Sequence, residues 1–265
     1  MERGTKRVID SCNGFLCISV NHKLYIWNPS NRKIKGLPPP LLQVPQGLYP
    51  PYPIGLGFGF LHKKNDYKVV RILVQAERNK RMYKIEVYSL RLNSWRELTA
   101  ALPLWFYIRS NSDSIHVNGV VYWIVSRCAP AKSFILSFDM DNEVFQRIQL
   151  PDSISKTREL QATDPVSIRL FEKSLSLIHL RQGHQLVGNV ACCDIWVMGV
   201  DTWKMLSTIL LPQVILHSSV TQERMAWPLS RTEDRLYIAW TDEKTHNRYE
   251  LNTTVLLYDR ISQEA

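Results

Sequence analysis

One strand–turn–strand pattern recurs through the chain and constrains its fold more than any other feature. An apolar run ends in an aromatic residue or methionine, a short polar turn follows, and a second run often carries an aromatic and a basic residue. The copies begin at Leu24-Tyr25-Ile26-Trp27-Asn28-Pro29, Ile85-Glu86-Val87-Tyr88-Ser89-Leu90, Ile135-Leu136-Ser137-Phe138-Asp139-Met140, Ile195-Trp196-Val197-Met198-Gly199-Val200 and Val255-Leu256-Leu257-Tyr258-Asp259. The equivalent residues Trp27, Tyr88, Phe138, Met198 and Tyr258 are separated by 61, 50, 60 and 60 positions. A near-constant period of this length marks a repeat architecture.

Each interval leaves room for two more strands. Ile54 to Phe60 with Tyr67 to Val74 fill the first, and Ile115 to Val117 with Val120 to Val125 the second. Val166 to Leu170 with Leu175 to Leu180, and Met225 to Trp227 with Leu236 to Trp240, fill the others. Continuous apolar runs such as Val120 to Val125 ask for cover on both faces, which stacked blades supply. The expected fold is all-β, a propeller-like (kelch-like) ring of about 5–6 four-stranded antiparallel blades. It forms a single domain over residues 1–265. Both ends read as incomplete, since the first unit shows no room for an innermost strand and the fifth stops before an outermost one.

The longest charge-free stretch, Gly36 to Leu61, holds seven prolines and five glycines and cannot form a spanning helix. No apolar core of a secretory signal follows the basic start, and Cys12, Cys17, Cys128, Cys192 and Cys193 form an odd set without framework spacing. The expectation is a cytoplasmic or nuclear chain with free thiols and no membrane contact. Net charge is +9, with basic clusters at Lys63-Lys64 and Arg78 to Lys84 that read as solvated turns.

No catalytic residues are expected. A Gly-x-Ser-x-Gly elbow is absent, and His22, His62, His116, His179, His184, His217 and His246 are dispersed singly. Gly55, Gly57 and Gly59 alternate but lead into Lys63 and Asn65 rather than a helix, so they read as a strand packed closely on a neighbour. Cys12, Cys17 and His22 are evenly spaced, but an odd separation puts Cys12 and Cys17 on opposite sides of a strand, so no metal and no cofactor are expected. Arg78, Lys80, Arg81 and Lys84, interleaved with Met82 and Tyr83, lie on an expected hairpin without any nucleic-acid-binding motif.

Ser11-Cys12-Asn13-Gly14-Phe15-Leu16-Cys17, then Trp27-Asn28-Pro29-Ser30-Asn31-Arg32-Lys33 and Leu37-Pro38, resemble the first blade of the plant F-box-associated domain. Gly57-Phe58-Gly59-Phe60 with Asp66 to Arg71, Glu86 to Leu90 with Ser94-Trp95-Arg96, and Val117-Asn118-Gly119 to Trp123 resemble its later signatures, in order. Phe15 and Asn31 depart from the commoner Leu and Thr. The resemblance covers about residues 8–260. It implies the substrate-receptor half of a Skp–cullin–F-box ubiquitin ligase, with proteins to be ubiquitinated as partners. An F-box pattern does not occur within residues 1–265, so the expectation is an F-box-less or truncated member for which adaptor binding is doubtful.

Substrate-protein contacts are expected from Tyr49 and Tyr52, in the proline-rich connection Pro38 to Pro53, and from Trp105 and Tyr107, with a buried strand over Trp105 to Ile108 as the equal alternative for the last two. Long connections in compact domains are often functional, and aromatics favour interface hot spots. The competing role is a basic propeller that binds nucleic acid or acidic partners outside the ubiquitin pathway.

Overall fold

The computed structural model describes residues 6–21, 23–42, 55–77, 80–100, 102, 107–108, 114–126, 133–155, 166–171, 173–181, 191–200, 202–211, 225–231, 235–243 and 251–259. The chain divides into two compact units, Met1–Gln149 and Leu150–Ala265. Every sheet is antiparallel, and apart from one short added strand in the third sheet the strands pair in chain order.

In the first unit, β1 (Lys6–Cys12), β2 (Phe15–Val20), β3 (Lys23–Asn28) and β4 (Lys33–Gly36) form one sheet. The second is β5 (Gly55–Leu61), β6 (Asp66–Glu77), β7 (Lys80–Ser89) and β8 (Ser94–Leu98). The third has five strands, a short β9 (Tyr107–Ile108) and then β10 (Ile115–Val117), β11 (Val120–Ser126), β12 (Ser133–Asp139) and β13 (Val144–Ile148) in order, with β9 pairing with β11. The first sheet is complete, with β1 in the place the sequence pattern left empty. Lys6, Arg7 and Asp10 interrupt its apolar residues and hide the strand.

The second unit opens with a single helical turn, α1 (Asp152–Ser155). Its four-stranded sheet is β14 (Val166–Phe171), β15 (Ser174–Arg181), β16 (Ala191–Met198) and β17 (Trp203–Leu211). Three strands, β18 (Met225–Arg231), β19 (Arg235–Glu243) and β20 (Leu251–Asp259), make its last sheet. In β15–β17, Asp194 accepts from Arg181 Nε at 2.6 Å and Thr208 Oγ1 at 2.7 Å, so this buried carboxylate is charge-paired.

The repeat is visible as cross-strand pairs. Trp27 faces Ile34, Tyr88 faces Trp95 and Phe138 faces Phe145, and the last two pairs bring their rings to 5.3 and 4.6 Å. Each intervening turn holds one left-handed residue, Arg32, Asn93 or Glu143, five positions after the repeat residue. The fourth copy differs by one residue. Met198 pairs with Trp203 beside the turn, so Val197, opposite Lys204, is the true equivalent of Tyr88 and Phe138. A bulge between Ile195 and Trp196 accompanies this shift.

Two buried clusters stack the sheets of the first unit. One joins Ile9, Cys17, Leu24 and Ile26 to Phe58, Val69, Tyr88 and Trp95. The other joins Val70, Ile72, Ile85 and Val87 to Val121, Trp123, Leu136, Phe138 and Phe145. The middle sheet is therefore apolar on both faces, as its unbroken run Val69-Val70 requires.

Candidate interaction surface

Tight turns gather at one end of the first unit. Asn13 and Gly14 (φ 48° and 79°) and Asn118 and Gly119 (φ 49° and 84°) close two-residue hairpins in the left-handed conformation that Asn-Gly adopts readily. Asp66 accepts from Ser89 Oγ at 2.5 Å and from Arg91 N at 2.8 Å, tying one turn of the middle sheet to the next. Buried Lys68 donates to Met140 O at 2.9 Å and to Glu143 Oε1 at 2.6 Å, and Arg96 also donates to Glu143. Burial pushes the Glu143 carboxyl up, but the bonds from Lys68 and Arg96 outweigh it and hold the group below the usual glutamate range.

The inner strands β1, β5 and β10 meet at this end around His116. Gly119 N–H donates to His116 Nε2 at 3.1 Å, which puts the neutral ring's proton on Nδ1, 3.4 Å from Cys12 Sγ. A Cβ on Gly59 would lie 2.3 Å from the His116 ring, and one on Gly57 would lie 2.6 and 2.7 Å from Val121 and Trp123. The alternating glycines thus let β5 press against the third sheet, as their pattern predicts. Burial raises the Cys12 thiol to about 11 and lowers His116 to about 4, helped by nearby His62. Near pH 7 both groups are neutral, so this contact holds no thiolate–imidazolium pair and acts as packing.

Cys12 and Cys17 share a face, contrary to the expectation from their spacing. They lie on different strands. Cys12 pairs with Phe15, and Phe15 and Cys17 are two apart on β2, so the Asn13-Gly14 turn resets the parity. Both thiols are buried in the apolar cluster, and burial pushes Cys17 up to about 12. Among the described residues no three potential metal ligands come together.

Strand order then fixes what lies at the opposite end. There β4 finishes at Gly36 and β5 begins at Gly55, bracketing the proline-rich connection. The β6–β7 ribbon also projects there, because β5 pairs with β6 only as far as Ile72 and β8 with β7 only as far as Ile85. Its remaining pairs run out to Glu77 and Lys80. Tyr107 pairs with Ser126 at the same end of β11. The start of the proline-rich connection is anchored, with Trp95 Nε1 donating to Pro38 O at 2.9 Å and Leu42 N to Glu86 Oε2 at 3.0 Å. Glu86 is fully buried and also pairs with buried Arg71, whose pKa burial lowers to about 10.

Of the four expected contact residues, the structure therefore places only the backbone of Tyr107, at the long-connection end. Tyr49, Tyr52 and Trp105 lie outside the described residues, although the connections that carry them leave from this end. The projection of the β6–β7 ribbon was not anticipated. The sequence marks only a hairpin around Arg78 to Lys84, not its reach past the neighbouring strands.

Repeated four-stranded antiparallel sheets, stacked face to face with their inner strands converging, define a β-propeller-type repeat domain. The chain belongs to the F-box associated beta propeller domain family, whose pattern matches residues 4–246. It is 32% identical over 142 residues to the F-box protein At3g16210 of Arabidopsis thaliana, covering 53% of this chain and 36% of that protein. It is 28% identical over 148 residues to the Arabidopsis F-box/kelch-repeat protein At3g23880, covering 55% and 39%. With the Arabidopsis F-box protein At3g10430 it shares 27% identity over 244 residues, covering 89% and 60%. The chain thus spans about a third to three fifths of the length of these relatives. Among solved structures it is similar to the β-propeller domain of the trilobed protease from Pyrococcus furiosus, with TM-score 0.45, 12% identity, and 97% of this chain and 69% of that chain covered. No helix among the described residues is long and apolar enough to cross a membrane.

Proposed function

We propose that this chain is a protein-binding receptor domain that captures a protein for ubiquitination as part of an F-box-type ligase, and that it performs no catalysis itself. The family match over residues 4–246 carries this reading. It runs through both units, which supports treating residues 1–265 as one working domain. Capture falls to the long-connection end, with Tyr49, Tyr52, Trp105 and Tyr107 as contact residues. At the tight-turn end, the second and third sheets are committed to packing and internal ion pairs. Cytoplasm or nucleus is the compartment, in keeping with the buried, unpaired thiols of Cys12, Cys17, Cys192 and Cys193.

The test is affinity capture from an Arabidopsis extract with the 265-residue chain as bait and salt varied. The expected result is a small set of proteins retained at high salt and lost when Tyr49, Tyr52, Trp105 and Tyr107 are changed together to alanine. Retention of nucleic acid that falls away steeply with salt would instead support the basic-scaffold role. Recovery of no protein under any condition would refute the receptor reading.

A further inference from the structure

We infer that the open edge of β4 is a docking strand for an extended, acidic–apolar–acidic segment of a partner protein. The inference rests on the receptor reading and names a chemistry for what is captured. Its first support is charge segregation. Residues 1–149 hold 21 Lys and Arg against 10 Asp and Glu, net +11, whereas residues 150–265 hold 12 against 14, net −2. The net basic charge is thus carried by the first unit.

Three of the ten acidic residues in that unit are already engaged in ion pairs. Glu86 pairs with Arg71, Glu97 with Lys84, and Glu143 with Lys68 and Arg96. Among the described residues no ion pair engages Arg32, Lys33 or Lys35. These three stand together at β4, the outer edge of its sheet, where every residue is exposed.

The repeat supplies an internal comparison. Ile34 occupies the position that Trp95 fills in β8 and Phe145 in β13, each opposite the repeat residue of the preceding strand. Trp95 and Phe145 are 7% and 9% exposed, whereas Ile34 is 58% exposed. The first sheet therefore offers a free strand edge, two lysines on one face and an apolar side chain on the other.

Edge strands present unpaired N–H and C=O groups that can template an added strand. Alternation puts Lys33 and Lys35 on one face and Ile34 on the other, beside Trp27. An added strand gains most with an acidic residue opposite each lysine and an apolar residue between them. A second copy of this chain is disfavoured, because pairing β4 with itself would bring like charges opposite one another.

The test uses the full chain and a fluorescein-labelled peptide of alternating Glu and Val flanked by Gly, followed by anisotropy and hydrogen exchange. The expected result is binding weakened at least about tenfold by K33E/K35E and less than about twofold by K63E/K64E, an equal charge change at another exposed site. Amide exchange over residues 32–36 should slow on binding. Thermal melts check folding of the variants, and K33Q/K35Q replaces K33E/K35E if the latter does not fold. Equal losses in the two charge variants would overturn the inference. So would equal binding of a peptide with Glu and Val in separate blocks, unslowed exchange, or tighter, competing binding of a single-stranded oligonucleotide. If K33E/K35E still captures the full set of proteins from extract, the edge inference fails while the receptor reading stands. If the wild-type chain captures none, the receptor reading itself fails.

Discussion

Replacing Gly57 by alanine tests the stacking of the second and third sheets directly. The added Cβ would lie 2.6 Å from Val121 Cγ1, 2.7 Å from Trp123 Cζ2 and 3.0 Å from Val70 Cγ1. Ordinary carbon contacts are about 3.5–4 Å, so the sheets must part by about 1 Å or Trp123 must leave its rotamer. Neither motion is cheap, because Val121 and Trp123 are buried and Trp123 Nε1 donates to Leu56 O at 2.8 Å beside the new methyl. Overpacking of this kind costs about 1–3 kcal/mol, and loss of the indole hydrogen bond adds about 1 kcal/mol. The gain from replacing glycine in an extended strand returns roughly 0.5–1 kcal/mol. The net expectation is a loss of about 2–3 kcal/mol, or about 4–12 °C in melting temperature for a domain of this size.

Thermal and urea melts followed by tryptophan fluorescence measure the loss, with two glycine controls. Gly36→Ala meets only Tyr25 carbons at 3.5 and 3.6 Å, so without a clash it should stabilise by roughly 0.5–1 kcal/mol. Gly14→Ala meets nothing within 4 Å but sits at φ +79°, so it should cost about 1–2 kcal/mol through its backbone alone. Trp123→Phe removes both the clashing atom and the indole donor. In that background the Gly57→Ala cost should fall by about 1 kcal/mol, a coupling that a double-mutant cycle isolates. A Gly57→Ala protein that melts with wild type, or one whose loss is unchanged by Trp123→Phe, would refute the stacking argument.

The buried ionisable groups give further predictions. His116 titrates near 4 when folded against an ordinary 6.5, so the unfolded chain binds the extra proton between those values. Its contribution is full above about pH 6.5 and is lost as pH falls toward 4, by up to about 3 kcal/mol. Urea melts between pH 7 and pH 4 should show a shallower slope for His116→Gln, and an unchanged slope would count against the buried neutral ring. Glu86→Leu strands the buried Arg71 charge and should cost about 3–5 kcal/mol, whereas adding Arg71→Met should restore most of that loss. A double variant no more stable than Glu86→Leu would show that the pair is not the source. Glu143→Gln should cost about 2 kcal/mol at pH 7, because an amide oxygen can still accept a hydrogen bond but the charge that pairs with Lys68 and Arg96 is gone. Because Glu143 titrates below its ordinary value, this difference should persist above about pH 4.5 and vanish as pH falls through the lowered folded value. A gap that remains in strong acid would point to shape rather than charge.

Features set by local chemistry were legible in the sequence. Asn13-Gly14 and Asn118-Gly119 announce their turns, the alternating glycines announce a close approach, and the aromatic pairs of the repeat announce the third and fourth strands. What escaped depends on pairing between strands. β1 is masked by Lys6, Arg7 and Asp10, because the period of a strand with one exposed side is easily lost over seven residues. Cys12 and Cys17 were assigned opposite faces because parity was counted through a turn as though it were one strand. In the fourth repeat Met198 and Trp203 pair directly beside the turn, one step nearer to it than Tyr88 and Trp95, a difference that apolar spacing does not reveal.

The candidate surface was less legible than the scaffold for a related reason. Tyr49, Tyr52 and Trp105 stand in connections without a period, so their sequence context states composition but not direction. Strand order supplies the direction. In a sheet paired in chain order, the turns after the first and third strands lie at one end, and the remaining connections must lie at the other. The first end is held by Lys68, Glu143, Arg96 and the His116 contact, which leaves little freedom there to change residues without loss of stability. The proline-rich connection and the β6–β7 tip lie beyond those constraints. Substitutions at that end can therefore leave the stacked sheets in place, and surface connections held on a rigid scaffold are where binding residues are commonly found.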